Sequence, residues 1–219
     1  MNLLKKLADN VTSQKGTFTN SYPVIVNAID LDNDELVDIV RDSGDQDAYR
    51  TRAKCFRTVW NLHTKYELVA EIGKHAIKIA NKNPLCGRTS PDGTPEEVEY
   101  GVKECWGLIY KTGEETRIHA HWPSLWAFSY NVRACPKCSP LIVPSNGTYP
   151  DVTIQPVAGS ISVFPAWLNH YVPPQPCDHE RIVIAGNLDI MWREDWGLQG
   201  KPWRRMSELG EIRKSINDK

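Results

Sequence analysis

Residues 116–132 read TRIHAHWPSLWAFSYNV, a run of the β-forming type that carries two histidines one residue apart. Successive side chains of a strand point to opposite faces, so positions i and i+2 share a face. His119 and His121 are therefore predicted to point together into the interior of a sheet. Imidazole binds iron, zinc, copper and nickel alike, so the pair predicts a transition-metal site before it predicts which metal.

The sequence around this stretch has the same β-type texture from residue 98 onward. Short apolar and β-branched runs alternate with turn residues: VKECWGLIY, TRIHAH, LWAFSYNV, PLIV, VTIQPV, SISVF and RIVIAGNLDI. A βαβ sheet would need helices between these runs. Seven or eight short strands without them predict a small antiparallel barrel or sandwich.

The first half of the chain reads as mixed structure. Residues 33–43 and 66–82 have apolar side chains at helical spacing and predict two amphipathic helices, which pack on a flat surface. Residues 56–63 (FRTVWNLH) alternate like a strand, and residues 84–97 read as an exposed loop.

One structural domain in three parts is the economical interpretation of 219 residues. The parts are helices and strands at 1–97, a β-barrel core at 98–190, and a tail rich in Trp and Arg at 191–219. The fold class is thus mainly β with α, with the N-terminal helices packed on one sheet of the barrel.

Composition narrows the classes of partner and location. A net charge of −1 lacks the basic field that drives bulk nucleic-acid binding, and favours a small molecule or a protein side chain as substrate. No long apolar run and no signal-peptide pattern is visible, which predicts a cytoplasmic protein with no membrane contact. The sequence leaves room for a homo-oligomer.

A third histidine completes the candidate metal site. The run GSISVFPAWLNHYVPP predicts a strand that ends near Phe164, a turn at Pro165, and His170 at the edge of the next strand. Antiparallel neighbours in a small barrel bring such positions together. A set of three histidines in short β-runs favours metal binding over three unrelated core or surface histidines.

The segments HAHWPSLWAFSYNV, QPVAGSISVFPAWLNHYVPP and ERIVIAGN resemble the iron(II)- and 2-oxoglutarate-dependent oxygenases of bacteria and tailed phages, over residues 98–190. The resemblance implies a double-stranded β-helix of the jelly-roll or cupin type and a dioxygenase that consumes dioxygen and 2-oxoglutarate. In a phage-encoded protein the location would be the bacterial cytoplasm. The substrate of the oxidation stays unidentified.

The resemblance also assigns roles to residues. His119, His121 and His170 correspond to the iron ligands, and Arg181 stands eleven positions after His170, where the family places an Arg that pairs with the far carboxylate of 2-oxoglutarate. The planar guanidinium suits such a bidentate contact. Tyr110 is a candidate hydrogen-bond partner of the co-substrate, as are Tyr130 and Asn187.

One departure concerns the carboxylate of the family's His-x-Asp or His-x-Glu motif, which His121 replaces. Three imidazoles leave the metal more positive than two imidazoles and a carboxylate, and so favour a different metal or weaker binding. An acidic residue from elsewhere in the chain could instead complete a site with only one histidine of the pair. Both alternatives stay open from sequence.

The cupins provide a second resemblance that selects the same three histidines. Gly113 is followed after five residues by His119-Ala-His121, and Gly159, Pro165 and His170 match the second cupin motif. The alternatives to an oxygenase are therefore a cupin-like metalloenzyme that does not use 2-oxoglutarate, or a non-enzymatic barrel with a vestigial site. Arg181 and the run ERIVIAGN favour the oxygenase.

Two further features remain. The tryptophans of the motif region are predicted to form core and pocket wall; they are Trp106, Trp122, Trp126 and Trp167. Cys135 and Cys138 have CxxC spacing, and Cys177 and His179 stand between His170 and Arg181. Reduced free thiols are the favoured interpretation, and a structural zinc ion is the alternative if the two loops meet.

Overall fold

A computed structural model describes residues 22–44, 51–83, 88–89, 95–96, 99–145 and 150–191. Cys86, most of the predicted loop at 84–97 and the predicted tail beyond Met191 lie outside the described residues. Among the described residues, neither helix is long and apolar enough to cross a bilayer.

The two predicted helices are confirmed. Helix α1 spans Asn33–Asp42, and helix α2 spans Glu67–Lys82. The Asp32 carboxylate caps α1 by accepting hydrogen bonds from the backbone N–H groups of Asp34 and Glu35, each at 3.1 Å. A short 3-10 turn, Leu62–Thr64, precedes α2.

Thirteen strands are present in the described ranges. They are Ile25–Ala28 (β1), Ala53–Lys54 (β2), Phe56–Arg57 (β3), Arg88–Thr89 (β4), Pro95–Glu96 (β5), Tyr100–Tyr110 (β6), Glu115–His119 (β7), Trp126–Arg133 (β8), Leu141–Val143 (β9), Val152–Ile154 (β10), Ser160–Pro165 (β11), His170–Val172 (β12) and Arg181–Ile190 (β13).

These strands form two main antiparallel sheets. The six-stranded sheet has the order β1-β11-β8-β13-β6-β3, and the five-stranded sheet has the order β10-β9-β12-β7-β2. Strands β4 and β5 pair separately as a small ladder. From β6 to β13 the chain passes back and forth between the two sheets, and only β9 and β10 follow each other within one sheet. This is the predicted double-stranded β-helix, mainly β with helices added.

Alternation along β6 shows how the sheets divide the core. Cys105 and Ile109 join one apolar cluster with the buried faces of α1 and α2, so both helices cover the outer face of the six-stranded sheet. Trp106, Leu108 and Tyr110 point the other way into a second cluster that both main sheets share. The prediction that the helices pack on one sheet is confirmed.

The predicted strand at 56–63 is wrong beyond its first two residues. The strand β3 ends at Arg57. The Thr58 N–H still donates to the Gly107 carbonyl at 3.0 Å, but the hydroxyl of Thr58 replaces its backbone carbonyl as the acceptor. The Thr58 hydroxyl oxygen accepts a hydrogen bond from the backbone N–H of Gly107 at 2.8 Å, and thereby ends the ladder with β6.

Helix α1 packs closely against the six-stranded sheet at Gly107. A Cβ atom added there would lie 2.7 Å from a methyl carbon of Val40, which is fully buried in α1. We expect Gly107→Ala to lower the free energy of unfolding by about 1–3 kcal/mol, because the helix must shift to admit the methyl group. Urea unfolding followed by circular dichroism measures this.

Gly113 provides the control for that substitution. Its φ is +80°, and an added Cβ would meet no atom within 4 Å. Gly113→Asn should change stability by less than about 1 kcal/mol, since Asn tolerates the left-handed region. Equal losses in the two variants would contradict the proposed close packing of α1 on β6.

Candidate active site

The three histidines predicted from the sequence meet in the interior between the two main sheets. One ring nitrogen from each lies within 4.8 Å of the other two. His170 in β12 is the register partner of His119 in β7, so antiparallel pairing sets these two side by side. The Nε2 atoms of His121 and His170 are 3.2 Å apart.

His121 reaches the site by a route that strand alternation did not predict. Strand β7 ends at His119, so His121 lies beyond it. The backbone N–H of His121 donates to the Ala166 carbonyl at 2.7 Å, and the His121 carbonyl accepts from the Ser124 N–H at 2.9 Å. A turn anchored to the segment between β11 and β12 therefore holds this side chain beside the other two.

Backbone carbonyls orient two of the three imidazoles as ligands. The Nδ1–H of His119 donates to the Arg117 carbonyl at 2.8 Å, and the Nδ1–H of His170 donates to the Leu168 carbonyl at 2.9 Å. Each bond fixes the tautomer that leaves an Nε2 lone pair available to a metal. Burial, together with the neighbouring His119, lowers the pKa of His170 to about 4, so this ring is neutral near pH 7.

His121 is held differently. Its Nδ1 accepts from the side-chain amide of Asn187 at 3.3 Å, and the same amide nitrogen donates to the Glu104 carboxylate at 2.6 Å. The Nε2 of His121 therefore carries the proton and donates it to His170. For His121 to become a ligand, this proton must move to Nδ1, which displaces the Asn187 donor.

The donor set fits a divalent transition metal. When two nitrogens bind a metal at right angles to each other, with bonds of about 2.1 Å, they stand about 3.0 Å apart. The 3.2 Å between His121 and His170 is close to this value. Within the described ranges, no carboxylate belongs to the cluster of ligand atoms. Glu104 reaches it through Asn187 alone, so the structure shows three imidazoles where an oxygenase motif has two and a carboxylate.

The histidines line a cavity of about 260 Å³. A water molecule occupies about 30 Å³ in the liquid, so this space holds a small organic molecule as well as an ion. Sequence inspection missed several of its lining residues: Thr51, Arg52, Arg57, Trp60 and Glu104. Strand pairing explains the position of one of them. Arg57 in β3 pairs with Leu108 in β6, and the Leu108 side chain also faces the interior.

Arg181, the predicted carboxylate partner, is only 2% exposed and so lies in the interior of the protein. Its guanidinium lies 5.4 Å from the ring centroid of Tyr110, which lines the cavity; Arg181 itself does not. Its Nε and Nη1 atoms are buried without a hydrogen-bond partner among the described residues. Glu180, a candidate partner by sequence, pairs instead with Arg41 at 2.8 Å.

Tyr110 and Asn187, two of the predicted co-substrate contacts, lie at the site. The Tyr110 hydroxyl is 2.7 Å from that of Thr116, and both residues line the cavity. Asn187 contacts His121 as described above. Tyr130 is wrong as a prediction, because it belongs to the helix-side cluster and donates its hydroxyl proton to Asn33 at 2.7 Å. It points away from the cavity.

The prediction that the tryptophans form core and pocket wall is confirmed for Trp106 and Trp126 and wrong for Trp122. Trp106 does line the cavity, with its ring 4.6 Å from that of Trp60. Trp126 is fully buried against the helices, and Trp122 is 75% exposed. Trp167 stacks edge-on against Tyr22. A sequence window groups these residues, but the sheet faces and turns separate them.

No protein-family model matches the chain, and no curated protein is similar to it in sequence. Solved structures nevertheless share its fold. A prolyl-4-hydroxylase of Pseudomonas putida superposes with a TM-score of 0.55 at 15% identity, over 78% of this chain and 95% of that one. The viral collagen prolyl hydroxylase of Paramecium Bursaria Chlorella virus-1, in complex with 2-oxoglutarate, gives 0.54 at 15% identity, over 74% and 94%.

A third solved structure is HygX from Streptomyces hygroscopicus with nickel, 2-oxoglutarate and hygromycin B bound. It superposes with a TM-score of 0.54 at 10% identity, over 83% of this chain and 91% of that chain. The fold of these three structures is therefore the fold of this chain.

The hydrogen bonds rank the three histidines as ligands. We expect His119→Ala and His170→Ala to lower the affinity for a divalent transition metal more than His121→Ala, by a further factor of about ten, because only the first two rings are held in the ligating tautomer. Anaerobic titration with Fe(II) followed by calorimetry measures this. His75→Ala, a change in α2 away from the site, is the control. Equal losses at all three positions would contradict the ranking.

Proposed function

We propose that the chain is an Fe(II)- and 2-oxoglutarate-dependent oxygenase that oxidises a small molecule or a protein side chain. The observation that carries the proposal is Arg181. A guanidinium loses several kcal/mol of hydration free energy on burial. No described carboxylate offsets this loss, and we infer that a bound organic anion does so.

The position of Arg181 suits the far carboxylate of a short diacid. Thr116, whose hydroxyl contacts that of Tyr110, precedes His119 by three residues in β7, roughly 10 Å along the strand. A keto acid held at the imidazoles would extend along this interior, past Tyr110 and Thr116, toward the guanidinium. Small side-chain movement at Tyr110 would expose Arg181 to it.

Three imidazoles would hold the iron. Those of His119 and His170 are already in the ligating tautomer, and that of His121 would have to change its tautomer. Bound iron and 2-oxoglutarate supply the oxidising power that transfers an oxygen atom from dioxygen to a C–H bond. The chain itself orients the co-substrate through Arg181 and the Tyr110–Thr116 pair, and excludes water by apolar lining residues such as Phe164 and Val183. The substrate would lie beside Trp60, Trp106 and the charged residues of the cavity.

A second candidate follows from the absence of a carboxylate in the described ligand cluster. A cupin-like metalloenzyme would use the three imidazoles without 2-oxoglutarate. Arg181 separates the two candidates, because this alternative has no need of a buried guanidinium.

We expect Arg181→Ala to weaken 2-oxoglutarate binding by about 2–5 kcal/mol, equivalent to about 30- to 4,000-fold in Kd, and to leave metal binding unchanged. Arg181→Lys should fall between, since it keeps the charge and loses the fork. Anaerobic titration of the Fe(II)-loaded protein, followed by the visible charge-transfer band of bound 2-oxoglutarate, measures both.

Arg133→Ala is the matched control, because Arg133 lies on the same sheet but is exposed and 3.9 Å from Asp34. Its titration should match that of the unaltered protein. Absence of the band from iron-loaded, unaltered protein would eliminate the oxygenase proposal and favour the cupin-like alternative.

A carboxylate in place of His121 should improve the iron site. We expect His121→Asp to bind Fe(II) about tenfold more tightly, about 1.4 kcal/mol, because the anion lowers the charge of the centre and can accept the existing Asn187 donor. His121→Asn, of similar size but neutral, is the control and should bind more weakly than the unaltered protein. A gain in the Asn variant as large as in the Asp variant would show that charge is not the cause.

A further inference from the structure

A second cluster of metal-binding side chains lies outside the cavity. Cys135 and Cys138 stand in the connection between β8 and β9, and Cys177 and His179 stand in the connection between β12 and β13. These two connections are about forty residues apart in sequence, and the fold brings them into contact. Neither one contributes to the lining of the cavity.

The three sulfur atoms form a nearly equilateral triangle. The Sγ atoms of Cys135 and Cys138 are 3.6 Å apart, and Cys177 Sγ is 3.8 Å from each. Tetrahedral coordination with metal–sulfur bonds of about 2.3 Å puts sulfurs about 3.8 Å apart. A disulfide needs about 2.05 Å and would join only two of the three.

His179 is the candidate for the fourth ligand. Its Nδ1 is 3.9 Å from Cys138 Sγ. In a tetrahedral site with zinc–sulfur and zinc–nitrogen bonds of about 2.3 and 2.1 Å, this separation is about 3.6 Å. The imidazole is not within 4.8 Å of all three sulfurs, so a reorientation of its side chain toward the triangle is needed to complete the set.

We propose that Cys135, Cys138, Cys177 and His179 form a structural zinc site. Thiolates and imidazole in tetrahedral arrangement select zinc over harder cations such as magnesium or calcium. Four protein ligands leave no open position, which is the hallmark of a structural site and not of a catalytic one. The free thiols favoured from the sequence are thereby replaced by thiolate ligands.

A zinc ion at this site would cross-link the two connections near the start of β13. Hydrogen bonds already join them, since Ser139 N–H donates to the Gln175 side-chain oxygen at 3.1 Å and the Ser139 hydroxyl donates to the Pro174 carbonyl at 2.9 Å. His179 stands two residues before Arg181, the first residue of β13. Zinc would thus fix the backbone from which the buried guanidinium extends.

The test uses the full chain, purified under reducing conditions and dialysed against EDTA to strip the three-histidine centre. Elemental analysis should then find one zinc ion per chain. A mercurial reagent should bind the thiolates in place of zinc and release the zinc to a colorimetric indicator, and in a separate denatured sample a thiol reagent should find all six cysteines reduced. Cys135→Ser and Cys177→Ser should each retain less than a tenth of the zinc.

Two control variants make the assignment specific. Cys55→Ser removes a thiol outside the cluster, and His119→Ala removes a ligand of the other centre; both should retain one zinc ion. After cobalt replacement, the thiolate-to-cobalt charge-transfer bands should persist in His119→Ala, and the visible d–d bands should shift in His179→Ala.

Three outcomes would overturn the proposal. They are a dialysed protein with no zinc and six reactive thiols, a disulfide among the three cysteines in the freshly reduced and purified protein, and full zinc retention in both serine variants. If the serine variants do not fold, the zinc content and thiol titration of the unaltered chain decide alone. None of these readouts depends on 2-oxoglutarate, so failure here is distinct from failure of the proposed oxygenase function.

Discussion

The alternation of side chains along β13 is the constraint on which the rest of the structure depends. This strand pairs with both β6 and β8 at the centre of the six-stranded sheet. Ile182, Ile184 and Leu188 point outward and join the helices in one apolar cluster. The intervening residues point inward and include Arg181 and Asn187. A single strand thus supplies the surface that anchors the helices and the polar groups at both ends of the candidate site.

The interior carries a guanidinium that no described side chain neutralises. Arg181 is buried at one end without a described carboxylate partner, and three imidazoles face each other at the other end. Burying a cation without an anion opposes folding, and buried imidazoles in contact disfavour their charged forms. Both features become favourable when a metal and an organic dianion bind. Ligand binding would thus offset the unfavourable free energy of these buried groups, which agrees with the proposed oxygenase function.

The two candidate metal sites differ in ligand chemistry and in place. Three nitrogen donors line a cavity and leave positions for small molecules, whereas three sulfurs lie close together between two connections, with His179 beside one of them. Thiolates are softer ligands than imidazoles, so the two sites favour different metals. The proposed zinc site and the catalytic site would meet through Arg181, since β13 begins there. Zinc binding would then also fix the orientation of the Arg181 guanidinium.

The sequence by itself predicted the two helices, the β-rich second half and the three histidines that the fold brings together, but not the end of β3 at Arg57 or the short strands β4 and β5. Helical spacing in α1 and α2 and alternation from residue 98 onward are local patterns that depend only on which face is buried. The spacing of eleven positions from His170 to Arg181, through the family resemblance, likewise selected the arginine that the proposed function uses. Tertiary structure alone decided the rest. Tyr130 and Trp126 face the helices, Arg57 and Glu104 face the cavity, and the cysteines of two distant connections meet, because pairing register and sheet packing are set by contacts between segments far apart in the chain.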